Sequence, residues 1–162
     1  MYLEFEEMPE DARIWIYQAN RKLNSNEISM VEDRLKQFCQ NWNTHGTLMP
    51  TSFTILNDQI LVLAVDESNL GASGCSIDSS VRVLSEIESE LGLNLRDQGK
   101  VSIKKSEEEI QVLPALGIKT ALAESKISAD KEVINPRIQT KRELQRLWIP
   151  ISESWLNKYF PN

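Results

Sequence analysis

Cys75 and His45 are the two side chains of this sequence best suited to nucleophilic chemistry. The chain holds two cysteines and one histidine in 162 residues. Cys75 lies in the small-residue loop 66–80, just before a segment predicted to be a helix, and a helix N-terminus stabilises a thiolate. The first hypothesis is therefore a hydrolase or transferase in which Cys75 attacks and His45 acts as the base. In this hypothesis, Asp78 or Asp66 orients the imidazole.

The same loop has the composition of a ligand-binding segment. Its glycines let main-chain N–H groups approach a phosphate or carboxylate closely, and its serines add hydroxyl groups. The residues predicted to contact a ligand are Asp66, Glu67, Ser73, Gly74 and Ser76. The carboxylates of Asp66, Glu67 and Asp78 oppose a thiolate in this loop, because a nearby negative charge raises the pKa of a thiol. The same carboxylates equally disfavour an anionic ligand, unless a lysine or arginine from elsewhere enters the site. Recognition of a small ligand or protein partner by this loop and the His45 loop is ranked ahead of catalysis.

Two other interpretations of loop 66–80 stay open at this point. Asp66, Glu67 and Asp78 offer the hard oxygen ligands that magnesium prefers. Three acids in one loop are not a metal-binding motif, so neither a metal nor a cofactor is predicted. In the purely structural alternative, Asp66 ends a strand, Ser76 or Asp78 caps a helix, and the glycines form the turn.

The elements that position these loops follow from the hydrophobic pattern. Residues 13–18 are rich in aromatic and β-branched side chains and predict a strand. Apolar residues recur at helical spacing over 28–42 and predict a helix that buries Cys39. Gly46 is predicted to form the C-terminal cap of this helix, which leaves His45 in the loop that follows.

Further along, strands and helices continue to alternate. In chain order the sequence predicts strands at 52–56 and 60–65 joined by a turn at 57–58, a helix at 77–91 ended by Gly92, a hairpin of strands at 101–103 and 109–113, a helix near 115–125 and a short apolar segment at 133–134. The strand at 60–65 is apolar on both faces, so it is expected at the centre of the sheet, covered by helices.

The order strand, helix, strand, strand, helix, strand predicts an α+β fold with the ferredoxin-like split βαβ arrangement, an antiparallel sheet with helices on one face. In such a sheet, the end of the first helix and the end of the second hairpin strand lie at the same edge. The 66–80 loop is therefore expected beside His45. His45 and Cys75 become neighbours although about thirty residues separate them in the sequence.

A single domain is expected for the whole chain. It comprises residues 1–162, with an N-terminal arm at 1–12, the ferredoxin-like core at 13–113 and a C-terminal α/β extension at 114–162. In the extension, Thr140 and Glu143 form a capping box that predicts a helix. The apolar end at 147–156 is expected to pack onto its own domain, because an exposed patch of that size favours association. The alternative is a homodimer or partner interface, as in an oligomeric scaffold.

Composition limits the classes of partner. The net charge is −6 and the isoelectric point is about 4.9, which disfavours binding to nucleic-acid phosphates. Two distant cysteines without Cys-x-x-Cys spacing indicate a reducing compartment. An acidic start without a signal-peptide pattern, together with the absence of a membrane-length apolar run, predicts a cytoplasmic protein with no membrane partner. The expected partner is a small molecule or another protein.

Four segments carry a resemblance that covers nearly the whole chain. They are Arg-Ile-Trp-Ile-Tyr-Gln-Ala-Asn-Arg at 13–21, Trp-Asn-Thr-His-Gly at 42–46, Leu-Ala-Val-Asp-Glu-Ser at 63–68 and Gly-Ala-Ser-Gly-Cys-Ser-Ile-Asp-Ser-Ser at 71–80. The chain resembles a family of small uncharacterised bacterial proteins that are often catalogued as "ABC transporter ATPase". A P-loop requires Gly-x-x-x-x-Gly-Lys-Ser/Thr, and residues 71–80 contain neither lysine nor arginine. ATP hydrolysis is therefore not predicted.

Overall fold

The structure is a computed structural model, and it describes residues 1–97, 99–124 and 127–159. Contacts between residues divide the chain into two compact units, Met1–Arg96 with Gln139–Arg142 and Asp97–Ile138 with Glu143–Asn162. Every residue predicted to take part in a site belongs to the first unit.

Strands and helices alternate through most of the chain. The strands are β1 Arg13–Gln18, β2 Asn43–Thr44, β3 Thr47–Leu48, β4 Thr51–Leu56, β5 Ile60–Val65, β6 Lys100–Lys104, β7 Ile110–Pro114, β8 Glu132–Ile134 and β9 Trp148–Pro150. The α-helices are α1 Ser25–Asn41, α2 Gly74–Leu91 and α3 Ala115–Ala123, and short 3₁₀ helices span Phe5–Glu7, Arg142–Arg146, Ile151–Glu153 and Trp155–Tyr159. None of the helices in the described ranges is both long and apolar enough to cross a bilayer.

β5 is the central strand of the first unit's antiparallel sheet, which has the order β1-β5-β4. Every residue of β5 is buried, as its apolar character on both faces predicts. Asn57 and Asp58 have φ angles of 55° and 52°, and the Gln59 N–H donates to the Leu56 carbonyl oxygen at 3.0 Å. This geometry closes a tight turn between β4 and β5. The predicted hairpin and the central position of β5 are confirmed.

α1 and α2 pack their apolar sides against one face of this sheet. Asn24 caps α1 in a reciprocal pair, because its side chain accepts from the Glu27 N–H at 2.9 Å and its own N–H donates to the Glu27 carboxylate at 3.0 Å. α2 ends at Leu91 and is capped by Gly92, whose φ of 62° lies in the left-handed region. The shared core contains the buried side chains Val31, Leu35, Leu61, Leu63, Leu84 and Ile87. Both predicted helices are confirmed.

Gly46 does not cap α1, which corrects the prediction for this residue. The helix ends at Asn41, and the next residue, Trp42, is extended. β2 and β3 then form a short hairpin whose turn is His45 and Gly46, with φ angles of 50° and 83°. The Gly46 N–H donates to the Asn43 side-chain oxygen at 3.1 Å. A helix cap and a hairpin turn both need positive φ, so the glycine alone does not distinguish them.

The second unit is built on its own antiparallel sheet, with the order β7-β6-β8-β9, and on α3. The β6–β7 hairpin occurs where the sequence predicts it. In a ferredoxin-like sheet, however, its first strand would join β1, and here it pairs with β8 instead. The α+β class is confirmed, whereas the ferredoxin-like arrangement of residues 13–113 is not, because their strands lie in two different sheets.

The outer edge of β1 is partly covered by Gln139–Arg142. Arg13 and Thr140 form an antiparallel bridge, the Ile14 N–H donates to the Gln139 oxygen at 2.9 Å, and the Lys141 N–H donates to the Ala12 oxygen at 3.0 Å. The predicted helix beginning at Thr140 is therefore wrong. Thr140 lies in this extended segment, and only a 3₁₀ helix, Arg142–Arg146, follows it.

The apolar end of the chain packs inside the second unit. Ile149, Ile151 and Leu156 are buried in a core that also contains Ile103. The predicted packing of this segment onto its own chain is confirmed for these residues. Trp155 keeps 44% of its surface exposed. A homodimer or scaffold interface through this end stays a prediction.

Candidate functional site

A cluster of buried polar groups joins the β2–β3 hairpin to the start of α2. The Trp42 indole Nε1 donates to the Ser76 main-chain oxygen at 2.8 Å, and the Thr44 and Ser76 hydroxyl oxygens lie 3.1 Å apart. The Ser73 N–H donates to the Thr44 hydroxyl oxygen at 3.3 Å. Thr44 and Ser76 are 3% and 2% exposed, so these bonds are shielded from water. The cluster holds the His45 turn against the first turn of α2.

Ser73 is the N-cap of α2, and this finding corrects the prediction of Ser76 or Asp78 as the cap. The Ser73 hydroxyl accepts from the Ser76 N–H at 3.2 Å, and the helix begins at Gly74. Cys75 therefore lies within the first turn of α2 and not before it. Residues 73–80 contain four serines and one aspartate, all acceptable caps, so the sequence pattern placed the start of the helix too late.

His45 and Cys75 line the same cleft, which has a volume of about 430 Å³ and lies between α1, the β2–β3 turn and the start of α2. The cleft is lined by Arg34, Gln37, Phe38, Asn41, Trp42, Asn43, His45, Ser73, Cys75, Ser76, Ser79, Arg82, Val83 and Glu86. Both His45 and Cys75 are exposed. Within the described part of the chain, no hydrogen bond joins the imidazole to the thiol. The two side chains share a site without forming a nucleophile–base pair in this structure.

Sequence reasoning missed the two arginines of the cleft. Arg34 on α1 donates to Glu86 at 2.7 Å and to Glu90 at 2.5 Å, and these carboxylates, Glu90 foremost, raise its pKa. Arg82 on α2 is exposed and makes no ion pair with any residue in the described ranges. The usable signal was helical spacing, because Ser79, Arg82 and Glu86 follow Cys75 along one side of α2. The cleft thus contains one guanidinium, that of Arg82, which forms no ion pair with the residues that the structure describes.

The acidic residues of loop 66–80 do not line this cleft. Asp66 accepts from the Ser68 N–H at 2.9 Å and from its hydroxyl at 2.6 Å, which forms a local turn. Glu67 accepts from the Ala72 N–H at 2.7 Å and lies 3.6 Å from Arg13. Both carboxylates therefore shape the loop itself.

Asp78 and Gly74 also lie outside the lining of the cleft. Asp78 is exposed on α2, and it forms no hydrogen bond with His45 among the residues that the structure describes. Of the residues predicted to contact a ligand, Ser73 and Ser76 do line the cleft. A search of the described residues finds no group of three or more histidine, cysteine, aspartate or glutamate side chains that could hold a metal ion.

Cys39 is a core residue, as its position on the apolar side of α1 predicts. It is fully buried, and this burial raises the pKa of its thiol to about 12. The Thr51 hydroxyl donates to its main-chain oxygen at 2.7 Å. Cys39 and Cys75 are both free thiols, and only Cys75 reaches solvent.

The chain matches no protein-family profile, no curated protein and no solved structure. Its function is therefore inferred from the geometry of the cleft and from the chemistry of the side chains that line it.

Proposed function

We propose that this protein is a ligand-binding domain whose site is the cleft between α1, the β2–β3 turn and the start of α2. The observation that carries the proposal is the combination of size and lining. A volume of about 430 Å³ suits a small molecule. The walls are mostly polar and charged, and they include the aromatic side chains of Phe38 and Trp42. The buried bonds of Trp42 and Thr44 fix these walls before any ligand arrives.

The lining favours a ligand with a flat apolar part and an anionic group. Phe38 forms the apolar wall, and it is backed by the buried ring of Trp42, whose centroid lies 4.8 Å away. Arg82 supplies a guanidinium that forms no ion pair with the described residues, and His45 supplies a ring nitrogen. A carboxylate on an aromatic body would satisfy both parts of the site. ATP is not the proposed ligand, because residues 71–80 lack the lysine of a P-loop.

The test compares a naphthoate with the corresponding neutral naphthamide by NMR titration of amide resonances. The naphthoate is expected to shift the amides of the cleft and to bind more tightly than the naphthamide. Ser79→Phe, which fills the cleft, should abolish these shifts, whereas Ser89→Phe on the exposed side of the same helix should preserve them. Arg82→Gln should remove the preference for the carboxylate. Shifts that spare the cleft, or that survive Ser79→Phe, would contradict the proposal.

A second candidate is a hydrolase or transferase that uses Cys75. It is favoured by one observation, that His45 and the exposed thiol of Cys75 line the same cleft. In this candidate the thiol sulfur attacks an acyl carbon while the imidazole takes the thiol proton. The imidazole then gives this proton to the leaving group as the acyl C–O or C–N bond breaks, and water or an acceptor later takes the acyl group from the sulfur. For either function we propose a cytoplasmic location, supported by the two free thiols, which suit a reducing compartment.

A further inference from the structure

The outer edge of β4 is paired at one end only. The N-terminal residues run beside it in parallel, with the Thr51 N–H donating to the Met1 oxygen at 2.8 Å and the Leu3 N–H donating to the Thr51 oxygen at 2.8 Å. The chain then leaves the sheet and forms the 3₁₀ helix Phe5–Glu7. The added strand is therefore limited to the first residue of β4.

The rest of this edge presents open main-chain groups. Alternate residues of a strand direct their N–H and C=O groups to opposite sides, so Phe53 and Ile55 point these groups the same way as Thr51. The N–H and C=O groups of the alternate residues Ser52, Thr54 and Leu56 point the other way, towards the paired strand β5. Among the residues that the structure describes, the outward groups of Phe53 and Ile55 have no hydrogen-bond partner. An open strand edge of this kind is a template for another strand.

A groove of about 450 Å³ runs along this open edge between α1 and the N-terminal arm. Its walls carry the carboxylates of Glu4, Glu6, Glu32 and Asp33, and within the described ranges none of the four takes part in an ion pair. Lys36, the one cation of the lining, lies 5.4 Å from the centre of the Tyr2 ring. The groove is therefore strongly negative.

We infer that this groove binds a basic, extended peptide segment of a partner protein as an added strand beside β4. The main-chain groups of Phe53 and Ile55 supply strand pairing, and the carboxylates on both walls attract lysine or arginine side chains. The Tyr2 and Phe53 rings, 5.9 Å apart, offer an apolar surface to the side chains between them. A second copy of this chain fits poorly, because pairing of two β4 edges would bring eight unpaired carboxylates together in chains that each carry a net charge of −6.

The test uses the probe acetyl-Lys-Val-Lys-Val-Lys-Val-amide on the full chain, followed by NMR and calorimetry. The peptide should shift the amides of Phe53 and Ile55, slow their hydrogen exchange and bind more weakly as salt rises. The matching glutamate peptide should not bind. A lysine peptide that is N-methylated at alternate residues should bind at least about tenfold more weakly, because it cannot pair with the strand.

Two double variants with equal loss of charge test the site on the protein. Glu32→Gln with Asp33→Asn should weaken binding about threefold to tenfold. Asp11→Asn with Glu108→Gln, exposed residues outside the groove, should leave it unchanged. Equal binding of the N-methylated peptide, equal binding of the glutamate peptide, or equal weakening by the control variant would overturn the inference. A dimer in sedimentation whose formation slows the hydrogen exchange of the Phe53 and Ile55 amides would assign this edge to a second copy and overturn it as well.

Discussion

The indole Nε1 of Trp42 donates a 2.8 Å hydrogen bond to the main-chain oxygen of Ser76, and this buried bond ties the end of α1 to the first turn of α2. The ring of Trp42 also forms part of the cleft. One side chain thus closes the core and shapes the candidate site. A change in this contact should therefore alter both the stability of the core and the shape of the cleft.

Replacement of Trp42 by phenylalanine should lower the free energy of unfolding by about 2 kcal/mol. It removes a shielded hydrogen bond and leaves a small void in a closely packed region. Urea unfolding followed by circular dichroism measures the change. The matched control is Trp155→Phe at a half-exposed position, which should cost less than about 0.5 kcal/mol. Equal stability of the two variants would show that the bond contributes nothing.

Glu27 should make stability depend on pH in the acid range. The bidentate hydrogen bonds from Arg21, aided by the Asn24 N–H, lower the pKa of Glu27 from its ordinary 4.5 to about 2. A lowered pKa stabilises the fold above the ordinary value, and this contribution is lost as pH falls from 4.5 towards 2. Glu27→Gln should therefore be less stable than the natural chain at neutral pH. This difference in the free energy of unfolding should shrink as the pH falls from 4.5 towards 2.

Arg21→Gln should reproduce the effect of Glu27→Gln, because it removes the largest cause of the lowered pKa. Urea unfolding at a series of pH values measures both variants. A gap between Glu27→Gln and the natural chain that stays constant from neutral pH into the acid range would show that ionisation of this carboxyl is not its origin.

The two thiols should differ sharply towards iodoacetamide. Cys75 is exposed and should react in the folded protein, whereas Cys39 is buried with its pKa raised to about 12 and should react only on unfolding. Cys75→Ser should abolish labelling of the folded chain, and Cys39→Ala should leave it intact. Mass spectrometry identifies the labelled residue.

The pH dependence of this labelling also tests the second candidate function. A thiol activated by His45 should react well below the range of a free cysteine, about pH 8.5, and should slow in His45→Ala. A rate that follows a model peptide and ignores His45→Ala would contradict the enzyme hypothesis. The binding proposal does not depend on this outcome.

Replacement by alanine of the glycines at the two ends of α2 should change the free energy of unfolding in opposite directions. A Cβ atom at Gly74 or Gly92 would meet nothing within 4 Å, so packing does not distinguish them. Gly92 has a φ of 62°, and Gly92→Ala should destabilise the protein by about 1 kcal/mol. Gly74 opens the helix without positive φ, and Gly74→Ala should stabilise it by about 0.5–1 kcal/mol. Thermal unfolding of both variants measures the difference, and equal signs would contradict a backbone origin of the effect.

Local features of the fold were readable from the sequence, and long-range pairings were not. The turn at Asn57 and Asp58 and the helix end at Gly92 depend on neighbouring residues alone, and both were predicted. The pairing of β6 with β8 depends on the contact of Ile103 with Val133, thirty residues further along the chain. No neighbouring residue of the sequence indicates this pairing. Thr140 shows the same limit, because a β bridge to Arg13 overrides its capping signal.

The candidate site also has features that the sequence predicted and features that it did not. His45 and Cys75 line one cleft, which agrees with the predicted order β1-β5-β4 of the three strands. Arg82 was missed because an exposed arginine on a helix has no local pattern that separates a site residue from a surface residue. The roles of Asp66 and Glu67 were hidden because their partners, N–H groups of the same loop, depend on the loop's shape.

Trp15 and Trp42 lie with ring centroids 5.8 Å apart and an angle of 50° between their planes. Two indoles this close couple their electronic transitions, and the resulting circular dichroism depends on the distance and angle between them. Since Trp42 also lines the cleft and donates a hydrogen bond to α2, we expect a shift of its ring to change this optical signal. The protein therefore carries a built-in spectroscopic reporter of its candidate site, which needs no attached label.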